Sequence, residues 1–250
     1  MTTSFKKKLI RGDLLYGTII TLPATEIVEI FSQAGLDWLF VDLEHSAMSI
    51  RDAQALLQTA GARTPCLVRV PANDEIWIKK ALDIGAAGII VPQVNRAEDA
   101  ERAVQLCRYP PGGARSVGIA RAQGYGTGFQ EYVASANDEI TVIIQIEHID
   151  AVENISEILK VPGLDGLFIG PYDLSASMGK TGLTTDPAVQ KAISQVKKCA
   201  GRADVPIGIF GATPEAVEPY IQAGYTLIAV GIDTMLLGKA AREIITSLKK

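Results

Sequence analysis

Cysteine and histidine are scarce in this 250-residue chain, with three of the first and two of the second. Cys66, Cys107 and Cys199 are odd in number and far apart, which excludes a disulfide framework and a cysteine-built zinc site. Each is expected to act as a small buried hydrophobe. Basic tracts are missing beyond residues 6–8 and the last two lysines, and the formal net charge is −4. A nucleic-acid or anionic-membrane partner needs a basic face, so neither is expected. No apolar run reaches the roughly 18 residues that cross a bilayer. The first eight residues are not followed by a signal-peptide core and cleavage site. These absences predict a soluble, reduced, cytoplasmic protein. Familiar nucleotide and nucleophile motifs are also missing. Gly179-Lys180-Thr181 resembles the end of a phosphate loop, but Leu174 stands where the first glycine is required. Gly124-x-Gly126-x-Gly128 follows no clear strand, and no G-x-S-x-G elbow occurs.

What is present is a large core with a strong rhythm. Hydrophobic residues make up 48% and charged ones 21%, which fits a globular domain. Eight short apolar runs cover 14–20, 38–43, 66–70, 88–92, 141–147, 166–169, 206–210 and 227–230. They are rich in Val, Ile and Leu, as strands covered on both faces must be. Amphipathic stretches separate them, at 24–34, 50–60, 75–84, 97–107, 152–160, 187–200 and 214–223, with a closing helix at 235–249. Strands alternating with helices imply parallel pairing. Eight units in this length predict one (β/α)8 TIM barrel domain over residues 1–250. Helices end in Ala34-Gly35, Ile84-Gly85 and Ala223-Gly224, where glycine suits a left-handed residue. That places the turns at the base and the polar strand ends at the rim, where barrel chemistry sits. The Pro/Gly-rich stretch 110–128, with Arg115 and Arg121, is expected to be an irregular functional or interface loop.

The strand ends carry hard oxygen ligands: Asp42-Leu43-Glu44-His45, Arg69-Val70-Pro71, Gln145-Ile146-Glu147 and Gly170-Pro171-Tyr172-Asp173. Several carboxylates on one rim need a cation or protons to offset them. Period-two alternation puts Gln145 and Glu147 on the inner side of their strand. Glu147 reads as a metal ligand, against the plainer role of a solvated strand-end residue. Asp173 reads as a second ligand or as the cap of a following helical turn. Two carboxylates would leave positions open for water and substrate oxygens on Mg2+ or Mn2+. His45 has Asp42 three residues earlier, a pair that could orient its imidazole. His148 should point away from Glu147 and be structural. A buried Arg69 should meet an anion, with Asp42, Glu44 and Asp83 as the structural alternatives. No strand ends in lysine, so imine chemistry is disfavoured against a metal-stabilised enolate.

Five segments occur in order: Phe40-Val41-Asp42-Leu43-Glu44-His45-Ser46, Val68-Arg69-Val70-Pro71, Leu82-Asp83-Ile84-Gly85-Ala86-x-Gly88, Gln145-Ile146-Glu147, and Gly166-Leu167-Phe168-Ile169-Gly170-Pro171-Tyr172-Asp173-Leu174-Ser175. Together they resemble the metal-dependent 4-hydroxy-2-oxoheptanedioate aldolase family over nearly the whole chain. The resemblance implies reversible cleavage of a 4-hydroxy-2-oxo acid to pyruvate and an aldehyde. Glu147 and Asp173 would bind Mg2+, Mn2+ or Co2+, and Gln145 would contact substrate or a metal-bound water. Gly170, Pro171, Tyr172 and Asp173 would receive the pyruvate carboxylate. Arg69 would hold the keto oxygen, and His45, oriented by Asp42, would assist proton transfer. Asp83, with Glu44, would lie behind that pair or at an interface. Phe210 would flank the pyruvate methyl, and Arg121 would touch the aldehyde half, reaching into a neighbour's site. The family forms hexamers built as trimers of dimers. Two other readings remain at this level: an acyl-CoA lyase of the malyl-CoA or citramalyl-CoA type, and a non-catalytic binding barrel.

Overall fold

The computed structural model describes residues 4–249. The first three residues and the final lysine lie outside them. Strands β1 (Leu15–Ile20), β2 (Trp38–Asp42), β3 (Cys66–Arg69), β4 (Gly88–Val91), β5 (Thr141–Ile146), β6 (Gly166–Ile169), β7 (Ile207–Gly211) and β8 (Leu227–Ile232) pair in chain order. All pairs are parallel, and β8 returns to β1 to close the barrel. The helices are α1 (Phe5–Arg11), α2 (Thr25–Gln33), α3 (Ile50–Ala60), α4 (Glu75–Asp83), α5 (Ala97–Cys107), α6 (Phe129–Glu139), α7 (Ile149–Glu153), α8 (Ile155–Ile158), α9 (Pro171–Ser177), α10 (Pro187–Arg202), α11 (Pro214–Gln222) and α12 (Asp233–Leu248). Among the described residues, no helix is long and apolar enough to cross a membrane.

All eight expected strands are present, with ends within two residues of the apolar runs. The helix expected at 152–160 is two short pieces meeting at Asn154, whose side-chain amide donates to the Asn95 carbonyl (3.0 Å). Helices α1 and α6 escaped the periodicity. In α1 only Phe5 and Leu9 turn inward, between lysines that hide the pattern. Those two side chains enter the inner core beside Trp38, so α1 plugs the base of the barrel. The stretch 110–128 is irregular as expected, apart from a 3-10 turn at Arg121–Gly126.

Side-chain alternation splits the core in two. Ile19, Phe40, Leu67, Ile90, Ile143 and Phe168 fill the barrel interior. Val41, Val68, Ile89, Ile144, Ile146 and Ile169 pack outward under the helices. Gln145 therefore continues the inward row of Ile143, as its period predicted. Gly35, Gly85 and Gly224 have φ of 88°, 94° and 82°, the left-handed turns that send each chain back into a strand. One element departs from the ordinary barrel layer. Only Asp233 is buried among the sixteen residues of α12.

Candidate active site

The strand ends enclose a cavity of about 200 Å³. Asp42, His45, Arg69, Gln145, Gly170, Pro171, Tyr172, Asp173 and Phe210 line it. Ile19, Thr21, Phe40, Phe168 and Ile232 complete the wall. Seven of the eight strands, or the segments that follow them, thus bring nine of the expected residues to one cavity, while Glu44, Asp83, Arg121 and Glu147 are not part of its lining.

Arg69 organises the floor. Its Nε donates to Asp42 Oδ1 (2.9 Å) and its Nη2 to Asp42 Oδ2 (2.6 Å). This two-point fit fixes the guanidinium plane. Phe40 lies under it, 5.2 Å from ring centre to Cζ. The remaining nitrogen, Nη1, has only longer contacts, to Glu44 Oε2 (3.2 Å) and Gln145 Oε1 (3.4 Å). It is the donor left for an oxygen in the cavity. Gln145 then passes the network on, donating through Nε2 to Glu147 Oε2. Glu147 Oε1 accepts from the backbone N–H of Gln93 (2.8 Å).

Glu147 is buried at the cavity edge, 3% exposed. Burial pushes its carboxyl up to about 7; the Gln93 N–H opposes this, and the charges of Glu44 and Asp173 add to it. Glu44 is also raised, by burial first and by Asp42 and Asp173 next, while Arg69 pulls the other way. Its Oε2 is buried without a hydrogen bond. Three carboxylates, Asp42, Glu44 and Glu147, thus act on one guanidinium, and Asp173 lies near Glu44 and Glu147. A divalent cation fits that excess. Among the described residues, no group of three His, Cys, Asp or Glu side chains forms a complete holder. Glu147 and Asp173 would hold such an ion by two ligands and leave its other positions open. The close approach depends on Gly170. A Cβ there would stand 2.9 Å from Gln145 Nε2 and 3.2 Å from Glu147 Oε2.

Asp173 lies in the first turn of α9, with Gly170 as the N-cap and Pro171 opening the helix. Its side chain is exposed and makes no capping bond, so the alternative cap role does not hold. Tyr172 and Phe210 pack ring to ring across the mouth (6.1 Å, 50°). His148 caps α7, its Nδ1 accepting from the Asp150 N–H (3.2 Å), as a structural histidine should.

Three expectations need correction. Asp42 does not orient the His45 imidazole, because Arg69 engages both carboxylate oxygens. Asp42 reaches His45 only through the backbone N–H (3.3 Å), and the imidazole Nε2 faces Glu44 instead (3.7 Å). Asp83 ends α4 at the base of the barrel, far from that pair in its own chain. It binds Arg115 Nη2 (2.8 Å), which lies between the rings of Tyr109 and Tyr132. Arg121 is likewise at the base, donating to the carbonyls of Ile84 (2.7 Å) and Leu57 (3.3 Å) at the ends of α4 and α3. It does not enter its own chain's cavity.

Gln93, Thr21 and Asp233 were not foreseen. Gln93 acts through its backbone, held at φ 54°, and side-chain identity carries no trace of that. Asp233 stands three residues past the eighth apolar run and directly after β8, a weaker signal than the one that singled out Glu147.

A family model described as HpcH/HpaI aldolase/citrate lyase matches residues 18–240. The chain belongs to this family. It is 40% identical over 237 residues to a 2-dehydro-3,6-dideoxy-6-sulfogluconate aldolase of Pseudomonas putida, covering 93% of this chain and 92% of that one. It is 38% identical over 247 residues to a 4-hydroxy-2-oxo-heptane-1,7-dioate aldolase of Escherichia coli, covering 98% and 94%. A crystal structure of an HpcH/HpaI aldolase/citrate lyase family protein from Burkholderia cenocepacia J2315 superposes with a TM-score of 0.95, at 35% identity and full coverage of both chains. These named relatives are aldolases, carbon–carbon lyases, and they favour that class over the acyl-CoA lyase and non-catalytic alternatives.

Proposed function

We propose that the chain is a class II pyruvate aldolase, cleaving a 4-hydroxy-2-oxo acid to pyruvate and an aldehyde and running the reverse condensation. The observation that carries this reading is the Arg69 guanidinium, fixed by Asp42 and turned so that Nη1 meets the cavity beside Gln145 and Glu44. Glu147 and Asp173 would hold Mg2+, Mn2+ or Co2+. Such an ion, when bound, polarises the keto oxygen and offsets the carboxylate excess. Arg69 Nη1 donates to that oxygen as negative charge grows on it during C3–C4 cleavage. The first-turn amides of α9 and Gly170 receive the substrate carboxylate, and Gln145 orients a donor or water near Glu147. His45, 64% exposed at the mouth with Glu44 beside it, takes the 4-hydroxyl proton in cleavage and returns it in condensation. Tyr172 and Phe210 bound the space beside the pyruvate methyl.

Pyruvate release from a synthetic 4-hydroxy-2-oxo acid, followed through a lactate dehydrogenase couple, tests the reaction. Borohydride added with substrate should leave activity intact, since no imine forms. Inactivation by borohydride, or turnover only with glyoxylate and acetyl-CoA, would overturn the reading.

We also propose a homo-oligomer, a hexamer arranged as a trimer of dimers. Its support is α12, which exposes Met235, Leu236, Leu237, Ile244, Ile245 and Leu248, an apolar face that a lone barrel leaves wet. Within such an assembly Arg121 and Asp83 could meet a neighbour's site. Sedimentation of an active monomer would remove this part of the proposal.

A further inference from the structure

The proposed chemistry makes no use of Asp233, yet this carboxylate is fully buried and heavily hydrogen-bonded. Among the described residues no cation pairs with it. Four donors do: the Thr21 N–H (2.8 Å) and Leu22 N–H (2.8 Å) on Oδ2, and the Thr234 N–H (2.7 Å) and Thr21 Oγ1 (2.7 Å) on Oδ1. Asp233 therefore ties the end of β8 to the segment that leaves β1, across the seam where the barrel closes.

The consequence lies in the polarity of Thr21. Three N–H groups can only donate, and they occupy both carboxylate oxygens, so the hydroxyl donates as well. A threonine hydroxyl has one proton and two lone pairs. Its proton is committed to the buried side, and only lone pairs remain for the cavity that Thr21 lines. Around it the wall is Ile19 and Ile232, with the Tyr172–Phe210 pair also lining the cavity. The guanidinium in the cavity, Arg69, is held at the floor by Asp42. An aldehyde ending in a carboxylate or sulfonate would place an anion against lone pairs and apolar surface, with the buried Asp233 behind. A hydroxyl group would instead donate to Thr21 Oγ1.

Resting on the aldolase reading, we infer that Thr21, fixed by Asp233, is a specificity-determining residue that selects an uncharged, hydroxyl-bearing aldehyde as the carbon acceptor. One neutral hydrogen bond of this kind supplies up to about a tenfold preference.

The test compares glyceraldehyde with propionaldehyde, the same skeleton without hydroxyls, and with succinic semialdehyde. Full-length wild type, Thr21→Val and Thr21→Ser are assayed at saturating pyruvate with Mn2+. The wild type should favour glyceraldehyde in kcat/KM. Thr21→Val should lower the glyceraldehyde-to-propionaldehyde ratio by about tenfold, chiefly through KM, and Thr21→Ser should keep it. If Thr21→Val does not accumulate as folded protein, Thr21→Ala serves the same comparison. An unchanged ratio in the valine or alanine variant, or a wild type that prefers succinic semialdehyde, overturns the assignment. Deuterium exchange at the pyruvate methyl of the wild type separates the two levels. Exchange with the wrong selectivity sinks only the role of Thr21, whereas absence of exchange sinks the aldolase reading beneath it.

Discussion

The base and the rim of this barrel treat charge in opposite ways. At the base, Asp165 receives Lys6 (3.0 Å) and Arg108 (3.0 Å) and accepts the Val142 N–H (2.8 Å). Asp83 at the same end has Arg115. The buried Asp165 and the half-buried Asp83 thus each meet at least one cation. At the rim a single guanidinium faces Asp42 and Glu44, and burial, joined by the charges of neighbouring carboxylates, holds the Glu44 and Glu147 carboxyls above their ordinary values. Buried charge is tolerated when it is paired and hydrogen-bonded. The base satisfies that condition within the chain, and the rim does not. The unbalanced end is the end that needs something from outside, while the balanced end holds the barrel shut around α1.

The largest way to break this contrast is to withhold the missing charge. EDTA should abolish turnover and added Mg2+ or Mn2+ should restore it; full activity in EDTA would remove the cation from the scheme. Next comes the balanced end. Asp165→Ala leaves Lys6 and Arg108 without their carboxylate, and breaking a buried pair costs about 3–5 kcal/mol. Melting should fall by about 6–20 °C for a chain of this size, while kcat per folded molecule stays unchanged. A large loss of kcat with normal melting would mean that base and rim are not separate. Arg69→Ala should do the reverse. Rate should drop on the order of 10²–10³, the loss expected of an oxyanion donor, with the drop in kcat rather than in substrate KM. Near-native cleavage by this variant would end its role at the keto oxygen.

How much of this was legible beforehand follows the same division. The strands showed in the apolar runs because a parallel strand covered on both faces must be hydrophobic along its length. The inward turn of Gln145 and Glu147 followed from period two alone. Arg69 was visible as an odd charge in an apolar strand. What stayed hidden depends on three-dimensional pairing. Asp42 and His45 are three residues apart, and that spacing suggested a dyad, but the cross-strand neighbour Arg69 captured the carboxylate first (Asp42 and Arg69 are paired in register). Asp83 and Arg121 sit in segments whose place at the base is set by helix direction, so proximity to the rim motifs in sequence was misleading. Gln93 contributes a backbone N–H from a left-handed conformation, which no side chain announces. Helix α1 was masked because only two inward apolar residues, Phe5 and Leu9, stand among lysines and give too weak a stripe.

The finest distinction between the two ends is a proton. Burial, aided by Glu44 and Asp173, raises the Glu147 carboxyl to about 7 in the metal-free protein, whereas an unfolded chain holds it near the ordinary 4.5. Between those values the folded chain keeps a proton that the unfolded chain has released. This group's contribution to stability therefore falls as pH rises through that window. A divalent cation binds the ionised form, so below about 7 it must displace the proton. Affinity for Mn2+, measured by calorimetry, should be about tenfold weaker at pH 6 than at pH 8 and should level off above that. Metal-free wild type should lose melting temperature from pH 5 to pH 8 relative to Glu147→Gln, whose neutral amide has no proton to give up. Metal affinity that is flat from pH 6 to pH 8, together with parallel melting curves for the two proteins, would show that Glu147 is already ionised and that the rim balances its charge some other way.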